Sequence, residues 1–126
     1  MFWSYQKISS VLRVLADQRR LRIMNALMWK ELCVCELVEV LVLPQYEVSR
    51  LLALLKKAGL VEYRRDGRWA YYSIADSIRR EPFLAELLKL LQQSVATRGE
   101  TARDFRRLER RLALRVGGCC TIGLRS

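Results

Sequence analysis

Hydrophobic positions at the start of the chain recur with the three- and four-residue spacing of amphipathic helices. A first group contains Ile8, Val11, Leu12 and Leu15, and a second group of similar spacing follows Asp17. An Asp at this position can accept hydrogen bonds from the first N–H groups of the second helix. The pattern therefore predicts two short helices, the second capped by Asp17.

A third apolar group, Leu37, Val40 and Leu41, is separated from an amphipathic run over residues 45–58 by Pro44. Because proline has no N–H and clashes with the preceding helical turn, it favours a break between two helices. Gly59 follows the run and is typical of a helix C-terminus. This segment therefore predicts two helices joined by a short turn.

The pattern changes to β after residue 60. Residues 61–65 and 68–74 are rich in Val, Tyr and Trp and flank Asp66-Gly67, a strong hairpin signal. Helices, a helix-turn-helix and a hairpin in this order are typical of a winged helix-turn-helix, so we expect a mainly α fold with a β-hairpin wing, in the α+β class. A generic α+β domain is the alternative.

Helical spacing returns after Pro82 in a leucine-rich stretch, and residues 103–111 form a charged run that we interpret as a further helix or a frayed extension. Near the C-terminus stand two adjacent glycines followed by Cys119 and Cys120. We therefore expect one domain over residues 1–113 and a flexible, cysteine-containing tail over residues 114–126.

The charge balance indicates the class of partner. The chain of 126 residues has 23 Lys and Arg against 13 Asp and Glu, a net charge of +10. So basic a chain favours a polyanion, nucleic acid before an anionic membrane. Because no apolar run is long enough to span a membrane and no signal peptide is evident, we expect a cytoplasmic protein with no membrane partner.

The residue types restrict the chemistry as well. The absence of histidine excludes Ser-His and Cys-His catalysis and leaves sulfur or oxygen ligands for any metal. Four cysteines in a reducing compartment favour thiols or metal ligands over structural disulfides. An enzyme is thus the least expected class, and no organic cofactor is indicated.

Four segments of the chain resemble the ArsR/SmtB family of metalloregulatory repressors, and they occur in the family's order. They resemble the family's second helix (residues 16–23), its metal box (31–37), its recognition helix (48–61) and its wing (67–72). The resemblance implies a homodimeric winged-helix repressor that binds palindromic operator DNA. In that family the C-x-C of Cys33 and Cys35 is the site of arsenic and antimony sensors, and it also contributes to cadmium and lead sensors.

This chain departs from the family patterns in informative ways. Val38 occupies the position of the third cysteine of many arsenic sensors, and the residues before Cys33 include no cysteine. Since trivalent arsenic binds three thiolates, we expect As(III) or Sb(III) as the inducer, with Cys33, Cys35 and either Cys119 or Cys120 as ligands. A cadmium or lead repressor, a metal-free thiol-redox repressor and a basic RNA-binding module remain alternatives.

Helix geometry suggests a route from ion to DNA. Side chains at i and i+2 point roughly 200° apart on a helix, so Cys33 and Cys35 cannot both face one ion from a regular helix. We therefore expect ion binding to unwind the start of the third helix and move the recognition helix.

Two further sets of residues complete the predicted sites. The residues expected to contact DNA lie early in the recognition helix and around the hairpin tip: Gln45, Ser49, Arg50, Arg64, Arg65 and Arg68. The residues expected at the dimer interface are apolar positions of the first and the leucine-rich helices: Ile8, Val11, Leu12, Leu84, Leu87, Leu88 and Leu91.

Overall fold

The computed structural model describes residues 3–95 and 99–116. Its elements follow in the order α1 (Tyr5–Leu15), α2 (Gln18–Trp29), β1 (Leu32–Cys33), α3 (Val34–Leu41), α4 (Gln45–Lys57), β2 (Val61–Asp66), β3 (Trp69–Ile74), α5 (Asp76–Arg79), α6 (Pro82–Val95) and α7 (Gly99–Leu112). This is the predicted order of a winged helix-turn-helix, with two unpredicted elements, the strand β1 and the short helix α5, and with α7 as a full helix.

Local sequence signals set the ends of the early helices. The Asp17 carboxylate accepts hydrogen bonds from the N–H groups of Arg19 and Arg20, as the sequence predicted. Burial acts to raise the pKa of Asp17, but these backbone hydrogen bonds outweigh it and hold the pKa below its ordinary value. The charged cap therefore favours α2 over most of the pH range.

The helix-turn-helix consists of α3 and α4. Val42 ends α3 in the left-handed region, at φ 55° and ψ 51°, and Pro44 is the N-cap of α4. Gly59, at φ 78°, follows α4 in the conformation that glycine adopts without strain, which confirms the predicted helix stop. The buried faces of α3 and α4 join α2 in one apolar core, to which Ile23, Leu37 and Leu52 belong.

The described residues form a three-stranded antiparallel sheet in the order β1-β3-β2. Asp66 pairs with Trp69, so Gly67 and Arg68 form the two-residue turn, one position later than the sequence indicated. Gly67 has a φ of 61°, and the left-handed region is open to it because it has no Cβ. The sequence did not predict β1, which pairs Cys33 with Tyr71.

The apolar residues of α1 and α6 divide between the core and the surface. Val11, Leu84 and Leu88 are buried within the protomer itself, so they serve its own core. Ile8, Leu87 and Leu91 are half-buried. Among the described side chains of these two helices, the large apolar residues that are exposed are Tyr5, Leu12, Phe83 and Leu90, at 94%, 41%, 43% and 57%.

Among the described residues, no helix combines the length and the apolar character needed to cross a membrane.

Candidate thiol site and nucleic-acid interface

Cys33 and Cys35 form a buried pair of cysteines where the sheet meets the helix-turn-helix. Cys33 ends β1 and is the N-cap of α3, and Cys35 lies in the first turn of that helix. Their side chains are 1% and 7% exposed, and the two Sγ atoms are 2.7 Å apart. Two sulfur atoms that converge in this way can bind one soft, thiophilic ion.

This arrangement removes the geometric reason for expecting the helix to unwind, because that reason assumed both cysteines in a regular helix. Because Cys33 lies before α3, with an extended φ of -84° and ψ of 166°, its side chain is not constrained by helical spacing. The β1–β3 pairing fixes the backbone at Cys33, and α3 fixes Cys35. Both sulfur atoms therefore face each other while α3 remains regular.

A buried ion pair supports the start of α3. The Glu36 carboxylate is fully buried and accepts hydrogen bonds from the Cys33 N–H at 3.0 Å and from the Arg115 Nε and Nη2 atoms at 2.8 and 2.7 Å. Burial acts to raise the pKa of Glu36, but the hydrogen bonds from Arg115 and from Cys33 outweigh it and lower the pKa. The charged pair therefore holds the backbone of the first cysteine in place.

Three arginines of the C-terminal segment, spaced four residues apart, contact successive turns of α3. Arg107 donates from Nε to the Val40 carbonyl at 2.6 Å, near the C-terminus of α3. Arg111 donates from Nη2 to the Sγ of Cys35 at 3.5 Å and pairs with Glu39, and Arg115 contacts Glu36. We call Arg107, Arg111 and Arg115 the arginine ladder.

The arginine ladder was missed in the sequence, where these residues belong to or follow the charged run 103–111. Their spacing of four is a helical signal. Their partners on α3, however, lie 67 residues or more away along the chain, so the signal did not identify what they contact. The ladder places α7 directly on the helix that holds Cys35.

The two cysteines line an open cleft that reaches the predicted DNA contacts. Its other walls include Gln45 at the start of α4 and, from the wing, Arg68, Trp69 and Ala70. The Arg68 guanidinium lies 4.6 Å from the centroid of the Trp69 ring. The structure thus brings together the thiol pair and two residues predicted to contact DNA.

The recognition helix presents its predicted contacts to solvent. Gln45, Ser49 and Arg50 are all exposed near the beginning of α4. Tyr46, 73% exposed, is a further aromatic residue in the first turn that sequence reasoning did not single out. Glu47, whose role was left open, forms an ion pair with Arg19 of α2. It therefore holds α4 on α2.

The three predicted cations of the wing differ in their environments. Arg64 donates from Nη2 and Nε to the carboxylate of Glu31, at distances from 2.5 to 3.1 Å, and lies 4.8 Å from the centroid of the Tyr71 ring. All three arginines are exposed, but Arg64, with its side chain 55% exposed, is engaged by Glu31. The hairpin tip therefore offers Arg65 and Arg68 to a polyanion, whereas Arg64 mainly joins the wing to the segment before β1.

The tail cysteines predicted as ligands, Cys119 and Cys120, lie outside the described residues. Within residues 3–95 and 99–116, no cluster of three or more Cys, His, Asp or Glu side chains could hold a metal ion. The donor set present there is two sulfur atoms, which suits a thiophilic ion and leaves one position of a three-thiolate site to be supplied from elsewhere.

The helix-turn-helix, the wing and the exposed basic residues define a winged helix-turn-helix of the DNA-binding class. Residues 17–63 match the model of the family described as bacterial regulatory protein, arsR family. This match runs from the cap of α2 to the first half of β2.

Curated relatives belong to the same family. The chain is 44% identical over 72 residues to a transcriptional repressor SmtB homolog of Synechocystis sp., and 47% identical over 66 residues to the arsenic resistance transcriptional regulator ArsR1 of Pseudomonas putida. These matches cover 57% and 51% of this chain and 54% and 51% of the relatives, so the chain spans about half the length of each.

A cadmium resistance transcriptional regulatory protein CadC homolog of Staphylococcus aureus is 33% identical over 93 residues, covering 73% of this chain and 75% of that protein. The relatives thus include proteins named for arsenic and for cadmium resistance.

Solved structures share the fold. HlyU from Vibrio cholerae superposes with a TM-score of 0.64 and 29% identity, over 73% of this chain and 95% of that one. The homodimeric winged helix-turn-helix DNA-binding domain of Mb0332 from Mycobacterium bovis gives a TM-score of 0.60 and 32% identity, over 71% and 78% of the two chains.

The chain therefore belongs to the arsR family of bacterial regulatory proteins, also known as the ArsR/SmtB family. Its family and fold are those of DNA-binding transcriptional regulators, not of enzymes.

Proposed function

We propose that this protein is an arsenite- or antimonite-responsive transcriptional repressor. It binds palindromic operator DNA as a homodimer and dissociates when As(III) or Sb(III) is bound by cysteine thiolates. One observation carries this proposal: the two sulfur atoms of the C-x-C converge to 2.7 Å in a cleft that Gln45 and Arg68 also line. The inducer site and the DNA-contacting surface are thus neighbours.

The chemistry of the donor set favours a trivalent metalloid. As(III) and Sb(III) are soft and form strong bonds to thiolates, and the described site offers sulfur without histidine. A third thiolate comes from Cys119 or Cys120. Arg115 is anchored to Glu36 beside Cys33, and Cys119 follows it by four residues, which span at most about 14 Å when extended. The tail of the same protomer can therefore reach the cysteine pair.

The position of the two cysteines suggests how binding acts on DNA. Cys33 is paired with the wing strand β3, and Cys35 belongs to α3, the first helix of the helix-turn-helix. An ion that bridges the two sulfur atoms therefore links the wing to the helix-turn-helix. A third bond to the tail would also pull on Arg111 and Arg115, which contact α3. These changes would reposition α4 relative to the wing.

The dimer is proposed to form through α1 and α6. Exposed apolar residues among the described side chains of these helices include Tyr5, Leu12, Phe83 and Leu90. We expect a second copy to cover these side chains together with the half-buried Ile8, Leu87 and Leu91. The homodimeric M. bovis relative supports this state. Two recognition helices related by a two-fold axis would read half-sites about 34 to 36 Å apart.

The test begins with selection of preferred duplexes from a random DNA pool. The recovered duplex is labelled, and its release is followed by fluorescence anisotropy while arsenite, antimonite, cadmium or lead is added under reducing conditions. We expect release by arsenite and antimonite at concentrations at least tenfold lower than by cadmium or lead.

Each other outcome has a defined meaning. Release by cadmium or lead at the lower concentration would replace the metalloid assignment with that of a cadmium or lead repressor. Release only by an oxidant such as hydrogen peroxide would indicate a thiol-redox repressor. Recovery of no preferred duplex would contradict the repressor function itself.

A further inference from the structure

A basic pocket lies between α7 and α3. The residues that line it are Glu39 of α3 and, from α7, Arg107, Arg110 and Arg111. Residues three and four positions apart share one face of a helix, which explains why these arginines line the same pocket. Its volume is about 210 Å³, several times the roughly 30 Å³ of one water molecule. We call it the α7 pocket, and it has room for a small anion.

Two of these arginines are held in place by the protein. The Arg111 side chain is 2% exposed, and its Nη1 atom lies 3.3 Å from Oε1 of Glu39. Arg107 donates from Nε to the Val40 carbonyl and from Nη2 to the Asp104 carboxylate, both at 2.6 Å. Side chains that are already ordered lose little conformational entropy when a ligand binds. Arg107 and Arg111 are therefore preorganised for a ligand.

Arg110 completes the pocket with an exposed side chain. Its Nε atom donates to the Arg106 carbonyl at 3.4 Å, a weak hydrogen bond. Within residues 3–95 and 99–116, no carboxylate pairs with Arg110. Its Nη1 and Nη2 atoms can therefore donate to a ligand that enters from solvent.

The residues that line the pocket have an excess of positive charge. Among the described residues they are three arginines and one glutamate, which have a net charge of +2. The nearby Asp104 does not cancel this excess, because it pairs with Arg22 of α2 as well as with Arg107. An excess of charge at a partly enclosed site attracts ions of the opposite sign.

We propose that the α7 pocket binds a phosphate group. The planar guanidinium group matches two oxygen atoms of a phosphate group and forms charge-assisted hydrogen bonds with them. Hydrogen phosphate, which has two negative charges, also balances the net charge of the pocket. This inference does not depend on the inducer proposed above, because it uses neither cysteine.

The phosphate group has two sources to be distinguished, free inorganic phosphate and the DNA backbone. Glu39 follows Cys35 by four residues, about 6 Å along the axis of α3. Cys35 in turn lines the cleft that contains Gln45 and Arg68. The α7 pocket thus lies near the predicted DNA contacts, and both sources must be tested.

The first experiment measures the binding of inorganic phosphate without DNA. Phosphorus NMR follows the ion as the full-length protein is added, in a phosphate-free buffer at constant ionic strength, for the wild type, Arg110→Gln and Arg103→Gln. Arg103 is the matched control, since it is exposed on the same helix and does not line the pocket.

The expected change follows from the exposure of Arg110. A hydrogen bond between charged groups corresponds to about a tenfold change in affinity or more, but solvent screens an exposed group in part. We therefore expect Arg110→Gln to weaken phosphate binding about fivefold. Arg103→Gln, which removes the same charge, should leave the affinity unchanged within twofold.

The second experiment identifies the source of the phosphate group. The affinity for a selected duplex is measured for the same three proteins over a range of salt concentrations. If a backbone phosphate occupies the pocket, Arg110→Gln weakens duplex binding more than Arg103→Gln does and lowers the slope of log affinity against log salt by about one. If free phosphate is the ligand, the two variants bind the duplex alike. Either result, together with the expected loss of phosphate binding, supports the site.

Two results of the first experiment would overturn the proposal. One is the absence of saturable phosphate binding by the wild type with a dissociation constant below about 10 mM. The other is a loss in Arg110→Gln no larger than that in Arg103→Gln, which would show that phosphate responds only to the total charge of the protein. Both side chains are exposed, so neither substitution removes a contact of the core.

Discussion

Replacing Asp104 with Asn should show how strongly α7 is fixed to the helix-turn-helix. The Asp104 carboxylate accepts two hydrogen bonds of 2.9 Å from Arg22 of α2 and a third of 2.6 Å from Arg107. Arg22 also donates to the Leu41 carbonyl at the end of α3. One carboxylate thus joins α2 and α7 beside the last turn of α3.

The expected magnitude follows from burial. The side chains of Asp104 and Arg22 are 8% and 17% exposed, so solvent screens the pair only in part. Removing one member of a fully buried ion pair costs about 3 to 5 kcal/mol, and exposed pairs contribute less than about 1 kcal/mol. Asn keeps the shape of the side chain but loses the charge and one acceptor. We therefore expect Asp104→Asn to lower the free energy of unfolding by about 2 to 3 kcal/mol.

Urea unfolding followed by circular dichroism measures this loss, at one fixed protein concentration because a dimer unfolds in a concentration-dependent way. The midpoint of thermal unfolding should fall by about 10 °C. Asp66→Asn is the matched control, since Asp66 is 51% exposed and lies 3.9 Å from Arg64. A loss under about 0.5 kcal/mol for Asp104→Asn, or equal losses for both variants, would refute the reasoning.

Three other predictions concern the turn and the DNA interface. Val42 is a β-branched residue at φ 55° and is 67% exposed. Because Asn adopts this left-handed conformation more readily, Val42→Asn should raise the free energy of unfolding by about 0.5 to 1 kcal/mol, measured by urea unfolding. No gain would show that the left-handed turn carries no strain. Arg68→Ala should weaken binding to all duplexes alike and reduce the salt dependence of the affinity, because phosphate contacts position the protein on DNA without reading the sequence. Gln45→Ala should change the preference among half-site variants, because contacts to base edges determine sequence specificity. Competition binding measures both effects, and no effect of either variant would mean that the DNA interface lies elsewhere. Arg64→Ala should weaken DNA binding less than Arg68→Ala, since Glu31 engages Arg64, and the reverse order in the same assay would contradict this.

Short-range patterns predicted most of the fold. The spacing of apolar residues, the Asp17 cap, the break at Pro44 and the stop at Gly59 each depend on neighbours a few residues away, and the structure has all four. The Asp66-Gly67 signal also located the hairpin. Its turn is shifted by one residue because the cross-strand pairing of Asp66 with Trp69 decides the register.

What the sequence did not predict depends on distant partners. A strand as short as β1 has no alternation to detect, and it exists because Leu32 and Cys33 pair with β3. That pairing moves Cys33 out of α3 and brings the two sulfur atoms together. Likewise, the contact of Arg111 with Cys35 joins residues 76 positions apart. The two cysteines could therefore be named as a candidate site from the sequence, but their geometry and their arginine partners could not be predicted.

The central claim is that Cys33 and Cys35 sense the inducer and are not needed to bind DNA. The most direct measurement is arsenite-driven release of a labelled, selected duplex, followed by fluorescence anisotropy for the wild type, Cys33→Ser and Cys35→Ser. Serine is similar in size but lacks the soft thiolate. We predict that both variants bind the duplex with wild-type affinity, within threefold, and keep it at arsenite concentrations that release the wild type. Dissociation of either variant at the wild-type arsenite concentration would contradict the claim.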